Sequence, residues 1–376
     1  MVGAGLIAGL LITHRLYLSA RLYPLTPVIE GLPAIPPPFD AIVLAALVGL
    51  VAGAAVVPRP RAWILASLGV AATLAVTDQS RWQPWFYQYV VMLAAFALAS
   101  RGERTTAALD VGGIVLCGIY VWSGVQKFNL AFAHDVFPWF VRPVIDVLPP
   151  SLGHAVAATW VVVPVVEIGI GVGLATRRLR RIAVAAAVLV HVGIVALLGP
   201  LAHAVNAVVW PWNVAMAALV VLLFWRDDRP LWPATRDTAT RVACAVAALL
   251  FWVMPALSFA GMWDAYLSGA LYSGNIAQGV VAMTPGLRAH LPAQIDRHVI
   301  VSGAGTSVLT VWDWSMGELG APPYPERRVY VNVARALCRY GQDPEDLKLV
   351  VVERPVLLTG QGGLRAYDCA GERATP

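Results

Sequence analysis

Long apolar runs alternate with short polar segments along most of this chain. Eight of the apolar runs occupy roughly residues 41–57, 62–77, 85–99, 107–128, 155–176, 182–198, 207–225 and 241–259. An apolar stretch at 1–13 has no basic flank before it and would make a ninth. Most of the runs approach the roughly 17–25 residues that a helix needs to cross a bilayer. The pattern therefore predicts an all-α polytopic membrane bundle of eight to nine transmembrane helices.

The hydrophobic pattern changes after residue 261. Residues 299–312 (VIVSGAGTSVLTVW) have strand composition around a glycine-rich turn, 329–340 (VYVNVARALCRY) have helical spacing, and 347–354 (LKLVVVER) return to a strand pattern. This predicts a small C-terminal α+β extramembrane domain. The predicted units are an N-terminal segment that would hold the first membrane helix, a transmembrane helical domain and an extracytoplasmic domain, at residues 1–40, 41–261 and 262–376.

Composition supports a bilayer rather than water as the solvent of this protein. Hydrophobic residues make up 59% of the 376 residues and charged residues 13%, with a mean hydropathy of +0.69. The charged share is about half that of an average soluble domain. The net charge of +5 does not indicate nucleic acid, because the arginines fall between apolar runs and form no basic face.

Arginines mark alternate loops of the predicted bundle. Twelve lie in or beside one set of loops: Arg59, Arg61, Arg101, Arg104, Arg177, Arg178, Arg180, Arg181, Arg226, Arg229, Arg236 and Arg241. The intervening loops at 78–84, 129–154 and 199–206 contain only Arg81 and Arg142. Because arginine-rich loops stay on the cytoplasmic side, the pattern predicts a multi-pass protein of the cytoplasmic membrane. The C-terminal domain would then be extracytoplasmic.

Lysine is rare in this chain and one lysine has an unusual position. Only Lys127 and Lys348 occur among the 27 basic residues. Lys127 lies at the outer end of a predicted membrane helix, on the helix face that carries Tyr120 and Ser123. A buried lysine can lose its proton and act as a base, whereas arginine stays charged. Lys127 is therefore a candidate catalytic base, and the alternative is a lysine that extends to the membrane interface.

Two other ionisable side chains lie near the middle of predicted spans, where such groups are costly and by default indicate function. They are Glu167 in PVVEIGIGVG and His191 in AVLVHVGIVALLG. Each is either a catalytic proton relay or a structural hydrogen-bonding group between helices. Gly169 and Gly173 have the small-xxx-small spacing that lets another helix approach closely. No second histidine follows at metal-ligand spacing, so no metal is predicted.

Two aromatic and polar clusters flank the predicted outer loops, DQSRWQPWFYQY (78–89) and NAVVWPWN (206–213). Interfacial tryptophan and tyrosine belts are common, but these clusters carry more polar side chains than a belt requires. Because they share the outer half of the bilayer with Lys127, we predict an outward-open pocket. The alternative is a set of scattered interfacial anchors. The candidate cofactor-binding residues are Trp82, Gln83, Tyr87, Tyr120, Asn206, Trp212 and Asn213.

The four cysteines divide by location. Cys117 and Cys244 lie inside apolar runs, where we expect inert packing. Cys338 and Cys369 lie in the C-terminal domain and are candidates for a disulfide if that domain faces an oxidising compartment. Pairing cannot be read from sequence, so free thiols are the open alternative.

Three segments resemble the vitamin K-dependent γ-glutamyl carboxylases and their bacterial relatives, the HTTM proteins. They are YVWSGVQKFNLAF (120–132), DQSRWQPWFYQYVVML (78–93) and the histidine-led HVGIVALLGPLAHAVNAVVWPWNVAMAALVVLLF (191–224), which follow the order and similar spacing of that family. The resemblance places Lys127 where the family has its catalytic base. It implies a reduced quinone, such as vitamin K hydroquinone or menaquinol, as cofactor.

The chain also departs from the carboxylase pattern. Trp85 stands where that family has a histidine, and Gln126 stands where it has a second lysine. The C-terminal domain is much smaller than the carboxylase domain that holds a propeptide. These differences favour quinol oxidation or epoxidation without carboxylation.

A second resemblance is to small helical bundles of the DoxX and MauE type. These carry a Gly-x-x-Lys near a helix end and a mid-helix Pro-x-x-Glu, which match Gly124–Lys127 and Pro164–Glu167. The resemblance implies quinone-coupled thiol oxidation, although this chain has no Cys-x-x-Cys. A third hypothesis is a non-catalytic scaffold or transporter whose C-terminal domain binds an extracytoplasmic protein partner.

Overall fold

The protein is mostly helical, with a small antiparallel sheet near the C-terminus. The computed structural model describes residues 1–99, 105–226, 229–232, 237–303, 305–354, 362–369 and 373–374. Its helices are α1 Val2–Ile12, α2 His14–Tyr17, α3 Phe39–Val56, α4 Arg61–Thr77, α5 Pro84–Ala99, α6 Thr105–Gln126, α7 Phe137–Phe140, α8 Arg142–Ile145, α9 Pro150–Ala158, α10 Val162–Ala175, α11 Arg180–Leu198, α12 Val209–Phe224, α13 Thr238–Ala248, α14 Met254–Leu257, α15 Pro285–Ala289, α16 Ala293–Asp296, α17 Val311–Leu319 and α18 Arg327–Leu337. Its strands are β1 Gln278–Met283, β2 Val299–Val301, β3 Ser307–Thr310, β4 Leu347–Val352, β5 Leu364–Tyr367 and β6 Arg373–Ala374.

Several helices are long and apolar enough to cross a bilayer, which indicates a membrane-embedded protein. Four described segments qualify by length and composition, namely Phe39–Val56, Thr106–Gln126, Arg180–Leu198 and Thr238–Ala260. A fifth span is formed if α9 and α10 are counted together. The described helices therefore give four to five candidate spans, and the prediction of eight to nine is not confirmed.

Shorter helices account for the difference. The apolar helices Val2–Ile12, Arg61–Thr77, Pro84–Leu98 and Val209–Phe224 have 10–17 residues. At a rise of about 1.5 Å per residue they fall short of a hydrocarbon core of about 30 Å. The run predicted at 155–176 is also divided, because α9 and α10 meet at a bend of 40°. Pro164 in the first turn of α10 has no N–H to donate to the Trp160 carbonyl, which favours a break in the helix at this point.

The C-terminal domain contains the predicted α+β elements and further ones. The six strands among its described residues are ordered β2-β3-β1-β4-β5-β6, and the pairings are antiparallel. The central pair runs from Gln278 opposite Val352 to Met283 opposite Leu347. The sequence pattern predicted β2 with β3, α18 and β4, but not the central strand β1 or helix α17.

The arginine-poor loops of the bundle all contact the C-terminal domain or the segment leading into it. Arg328 donates from Nε to Gln79 Oε1 at 2.7 Å, which ties the domain to the loop at 78–84. The loop at 129–154 is held where Asn129 donates to the Ser273 carbonyl at 2.8 Å. The loop at 199–206 is held where Asn206 donates to a hydroxyl of the segment at 266–272. These loops and the domain therefore lie at one end of the bundle, which we call the domain end.

The N-terminal segment is fixed at the domain end by a buried ionic cluster. The Asp78 carboxylate pairs with Arg21 at 2.5 Å and accepts hydrogen bonds from the amide and hydroxyl of Thr26. Arg81 lies 3.8 Å from the same carboxylate and donates to the carbonyls of Leu16 and Tyr17. The sequence pattern predicts that the polar side chains of the 78–89 cluster line the pocket. In the structure, Asp78 and Arg81 instead hold the N-terminal segment that leads into α3.

The same cluster has a defined dependence on pH. Burial would raise the pKa of Asp78, but the guanidinium groups of Arg21 and Arg81 outweigh it and lower the pKa below its ordinary value of 3.8. A carboxyl whose pKa is depressed by folding stabilises the fold above its unfolded pKa. That contribution is lost as the pH falls through the folded pKa. The cluster should therefore stay intact at neutral pH and open only in strong acid.

We predict that Asp78→Ala destabilises the protein by about 3–5 kcal/mol, because it leaves two buried arginines without their carboxylate. The exposed pair of Arg142 and Asp146, 3.4 Å apart, offers a matched control. Asp146→Ala should leave the unfolding midpoint nearly unchanged, since exposed ion pairs contribute little. Thermal unfolding in detergent measures both variants. Equal midpoints for the two would contradict a structural role for the cluster.

Candidate functional site

A cavity of about 420 Å³ lies inside the bundle, next to the domain end. Its walls come mainly from α6, α10, α11 and α12, and most of the lining side chains are apolar. The segment 266–272, which leads from the bundle into the sheet, closes part of it. This volume falls within the range of about 300–1,000 Å³ that is typical of small-molecule sites.

Lys127 and Glu167 form an ion pair in the cavity wall. Helix α6 ends at Gln126, and Lys127 in the following turn extends Nζ to within 2.7 Å of Glu167 Oε2. The same ammonium donates to Ser123 Oγ at 2.7 Å and to the Ser123 carbonyl at 3.1 Å. Its three N–H bonds therefore all have acceptors. Both residues are 7% exposed, so the lysine side chain is enclosed by the protein and does not extend from its surface.

Glycines on both helices permit this contact. A Cβ added at Gly124 of α6 would lie 2.6 Å from the Pro164 carbonyl, and one added at Gly171 of α10 would lie 2.6 Å from Val121. The expectation that Gly169 and Gly173 provide the close approach is wrong for Gly169, which has no heavy atom within 4 Å of its Cβ position. Spacing within α10 does not determine which of its faces meets α6.

His191 is held between two helices by a second polar cluster. Its Nδ1 lies 2.7 Å from Asn213 Oδ1, and its Nε2 lies 2.5 Å from the Tyr120 hydroxyl. The amide nitrogen of Asn213 donates to the Val209 carbonyl, which directs Oδ1 toward the imidazole. This network assigns the proton of a neutral imidazole to Nδ1 and makes Tyr120 the donor to Nε2. The Tyr120 oxygen then retains lone pairs that can accept a hydrogen bond.

The two polar clusters face one cavity from different depths. Tyr120 and Lys127 are separated by seven residues at the end of α6, which is about 10 Å of helix rise. Glu167 and His191 line the same cavity from α10 and α11. The three candidate catalytic residues are thus brought together around a common space.

Four of the predicted cofactor-binding residues line this cavity, namely Tyr87, Tyr120, Trp212 and Asn213. Trp212 is fixed by donation from its indole to Gln88 Oε1 at 2.8 Å. A ligand in the cavity would therefore meet aromatic surface and two hydrogen-bonding clusters.

The other three predicted residues have different positions. Gln83 donates to the Pro322 carbonyl at 3.0 Å and so binds the C-terminal domain. Trp82 donates to the Ala75 carbonyl at 2.7 Å and packs edge-on against Tyr324. Asn206 lies behind the cavity wall and contacts a tyrosine that lines it. Trp82 and Gln83 are surrounded by polar and aromatic partners because they form an interface between domains.

The segment at 266–272 contributes a hydroxyl to the cavity. Tyr272 lines the cavity and accepts a hydrogen bond from Asn206 Nδ2 at 3.0 Å. Burial raises the pKa of Tyr272 to about 12, although the hydrogen bond from Asn206 opposes the shift. The phenol therefore remains protonated at physiological pH and keeps its proton for donation. Nothing in the hydrophobic pattern indicated this residue, which lies 145 positions after Lys127.

A polar junction beside Lys127 was also missed. Gln126 donates to Ser258 Oγ at 2.9 Å and accepts from Asn275 Nδ2. Asn129 donates to the Gln126 carbonyl at 2.8 Å. The junction fixes the turn that carries Lys127 against the segments leading into the C-terminal domain. In the sequence VQKFN, the polar residues Gln126 and Asn129 on either side of Lys127 could have indicated this junction.

The four cysteines are absent from the described cavity lining. Cys338 and Cys369 form a disulfide in the C-terminal domain, with their Cα atoms 5.6 Å apart. Cys117 and Cys244 are buried free thiols. Among the described residues, no cysteine lines the cavity and no group of three or more His, Cys, Asp or Glu side chains could hold a metal ion.

Comparison with known proteins finds no family model, no curated protein and no solved structure that matches this chain. The helices and the cavity define a membrane-embedded helical protein with a buried ion pair beside an internal cavity. What it does must therefore be argued from the geometry of that cavity.

The helix contact that holds the ion pair gives a test. Gly171→Leu should destabilise the protein by about 1–3 kcal/mol, because any side chain there overlaps α6. Gly169→Leu on the same helix has open space around it and should be neutral or stabilising by up to about 1 kcal/mol. Thermal unfolding in detergent compares the two. A stable Gly171→Leu variant would show that the helices do not cross at this residue.

Proposed function

We propose that this protein is a membrane enzyme that binds a reduced quinone in the cavity and uses Lys127 as the base that removes a hydroxyl proton. The observation that carries the proposal is the 2.7 Å contact of Lys127 Nζ with Glu167 in the wall of an apolar cavity of about 420 Å³. A cationic amine beside a carboxylate in a nearly dry site has the groups that proton transfer from a weakly acidic hydroxyl requires.

The cavity residues fit a quinol in shape and polarity. A para-quinol is a flat apolar ring with a hydroxyl at each end. The Lys127–Glu167 pair and the Tyr120–His191 pair offer polar contacts at two places in the cavity wall, one for each hydroxyl. Aromatic side chains such as Tyr87 and Trp212 would cover the ring faces.

Lys127 must be deprotonated before it can accept a proton. As an ammonium it has all three N–H bonds engaged. Transfer of one proton to Glu167 across their hydrogen bond would leave a neutral amine and a carboxylic acid. The amine then takes the hydroxyl proton, and Ser123 and Glu167 hold the resulting ammonium in place.

Tyr120 would orient the second hydroxyl. Its own proton is donated to His191, so its oxygen can accept a hydrogen bond from the ligand. Asn213 fixes the imidazole from the other side. When bound, a reduced quinone supplies the electrons, and dioxygen is the oxidant in the reaction that the carboxylase resemblance implies.

Thiol-coupled redox chemistry is less well supported. Cys338 and Cys369 are bonded to each other in the C-terminal domain, and the described cavity residues include no cysteine. The donor and acceptor groups that line the cavity, Lys127, Glu167 and His191, are instead suited to acid–base chemistry. This observation supports the carboxylase-like proposal over the DoxX and MauE alternative.

We predict that Lys127→Met lowers turnover of a reduced menaquinone or vitamin K by at least about 100-fold, the usual contribution of a general base. Turnover is measured with dioxygen in lipid nanodiscs, together with mass spectrometry of co-purifying quinone. The exposed Lys348 in β4 is the matched control, and Lys348→Met should behave as wild type.

A second variant distinguishes loss of activity from loss of folding. Lys127→Met alone leaves a buried carboxylate, whereas Lys127→Met combined with Glu167→Gln removes both charges and should restore stability without activity. Wild-type turnover in either variant would refute the base assignment. A wild-type protein that neither binds nor oxidises any quinol would favour a non-catalytic scaffold.

We also infer that the shorter apolar helices complete a multi-pass bundle in the cytoplasmic membrane, with the domain end extracytoplasmic. The support is the alternation of arginine-rich and arginine-poor loops, since the three arginine-poor loops lie at the domain end. The exposed arginines at 177–178 lie between α10 and α11 at the opposite end.

Surface labelling tests this orientation. We expect Glu345→Cys in the C-terminal domain to react with a membrane-impermeant maleimide in intact spheroplasts, and Arg178→Cys to react only after the membrane is opened. Both positions are exposed in the structure. The reverse pattern would show that the topology is inverted. Labelling of both positions in sealed spheroplasts would show that no membrane separates them.

A further inference from the structure

The cavity wall formed by α10 and α11 is also part of the outer surface of the bundle. Val162, Val163 and Val166 line the cavity from α10, and Gly193 and Ile194 line it from α11. Val162 is nevertheless 53% exposed. Val161 and Val165, which do not line the cavity, are also 42% and 55% exposed, so this end of α10 lies at the outer surface and Val162 lies on the rim of an opening.

The two helices touch at one end and leave space at the other. A Cβ added at Gly173 would lie 2.8 Å from the Ala183 Cβ, so α10 and α11 are in contact at the end opposite the C-terminal domain. Gly193 is ten residues further along α11, about 15 Å toward the domain end. A Cβ added at Gly193 would have no heavy atom within 4 Å. The gap between α10 and α11 therefore lies at the same level along the helices as the cavity.

The surface around this gap is apolar. Val165 on α10, and Leu189 and Val192 on α11, are 55%, 71% and 60% exposed. Helix α11 is one of the candidate spans, and α10 forms another together with α9. Exposed valine and leucine on such helices face hydrocarbon rather than water. The opening therefore leads into the interior of the bilayer.

The polar groups lie inward of the opening. Glu167 follows Val163 by one helical turn on α10, and His191 precedes Ile194 by nearly one turn on α11. Both are 7% exposed and point to partners on α6 or α12 rather than to lipid. A molecule that passed between the helices with its polar end leading would bring that end to these two groups.

We propose that the gap between α10 and α11 is a lateral portal that admits a lipid-dissolved ligand from the bilayer and holds its apolar tail. The ligand class is an amphiphile with a polar ring and a long isoprenoid tail that remains in the hydrocarbon. This inference rests on the proposed function for the identity of the ring, while the portal itself rests on the α10 and α11 geometry.

A ligand-independent experiment tests the portal first. A phospholipid with a photoreactive diazirine in its acyl chain is incorporated into phosphatidylcholine nanodiscs with the protein, and crosslinked residues are mapped by mass spectrometry. We expect crosslinks on cavity residues such as Val163 and Phe137, in addition to the outward-facing residues. Crosslinks confined to outward-facing residues such as Leu189 would overturn the portal.

Two glycine variants make the comparison specific. Gly193→Trp should fill the portal and lower the cavity crosslinks by roughly tenfold, because an indole replaces open space on the access route. Gly169→Trp is the matched control, since Gly169 also has open space around it but does not line the cavity. Cavity crosslinks that persist in Gly193→Trp, or that are lost equally in both variants, would contradict the portal.

Quinol binding then assigns the ligand. In Gly193→Trp, we expect association of a long-tailed menaquinol from donor vesicles to slow roughly tenfold more than association of a tail-less, water-soluble naphthoquinol, which has no tail to pass between the helices. Equal losses for the two ligands would overturn the assignment of the tail to the portal. Binding of neither ligand to the wild-type protein would refute the proposed function, and the crosslinking result would still decide whether the portal exists.

Discussion

The buried ion pair of Lys127 and Glu167 is the contact on which the arrangement of the cavity depends. Removing two charges from water costs several kcal/mol for each ion, and only close geometry with further hydrogen bonds offsets that cost. Here the contact is 2.7 Å and Ser123 supplies the additional acceptors. Helices α6 and α10 must therefore cross closely enough to bring the pair together, which explains why glycines lie at the crossing.

The C-terminal domain completes this arrangement instead of standing apart from it. The segments that lead from the bundle into the sheet bond the turn that carries Lys127 and place Tyr272 in the cavity wall. The N-terminal segment is locked against the same end through Asp78 and its two arginines. Loss of the domain would remove one wall of the cavity, so the C-terminal domain and the helical bundle form a single structural unit around it.

The ionisable side chains of the cavity could be predicted from the sequence better than their contacts could. Lys127, Glu167 and His191 could be found because ionisable groups are rare in apolar helices. Trp82 and Gln83 were placed in the pocket because an aromatic and polar cluster has the same composition whether it lines a cavity or binds a domain. Their partners Tyr324 and Pro322 lie about 240 residues later in the chain, and no local pattern connects them.

The position of the polar groups also bears on how a lipid-soluble ligand would bind. Transfer of a long apolar tail from hydrocarbon into protein gains little free energy, because the tail leaves one apolar environment for another. Affinity must then come from the ring, through aromatic contacts and hydrogen bonds that hydrocarbon cannot provide. A cavity with Lys127 and Tyr120 in its wall and the proposed portal between α10 and α11 would meet this requirement, since the ring would reach these two side chains while the tail stayed in the bilayer.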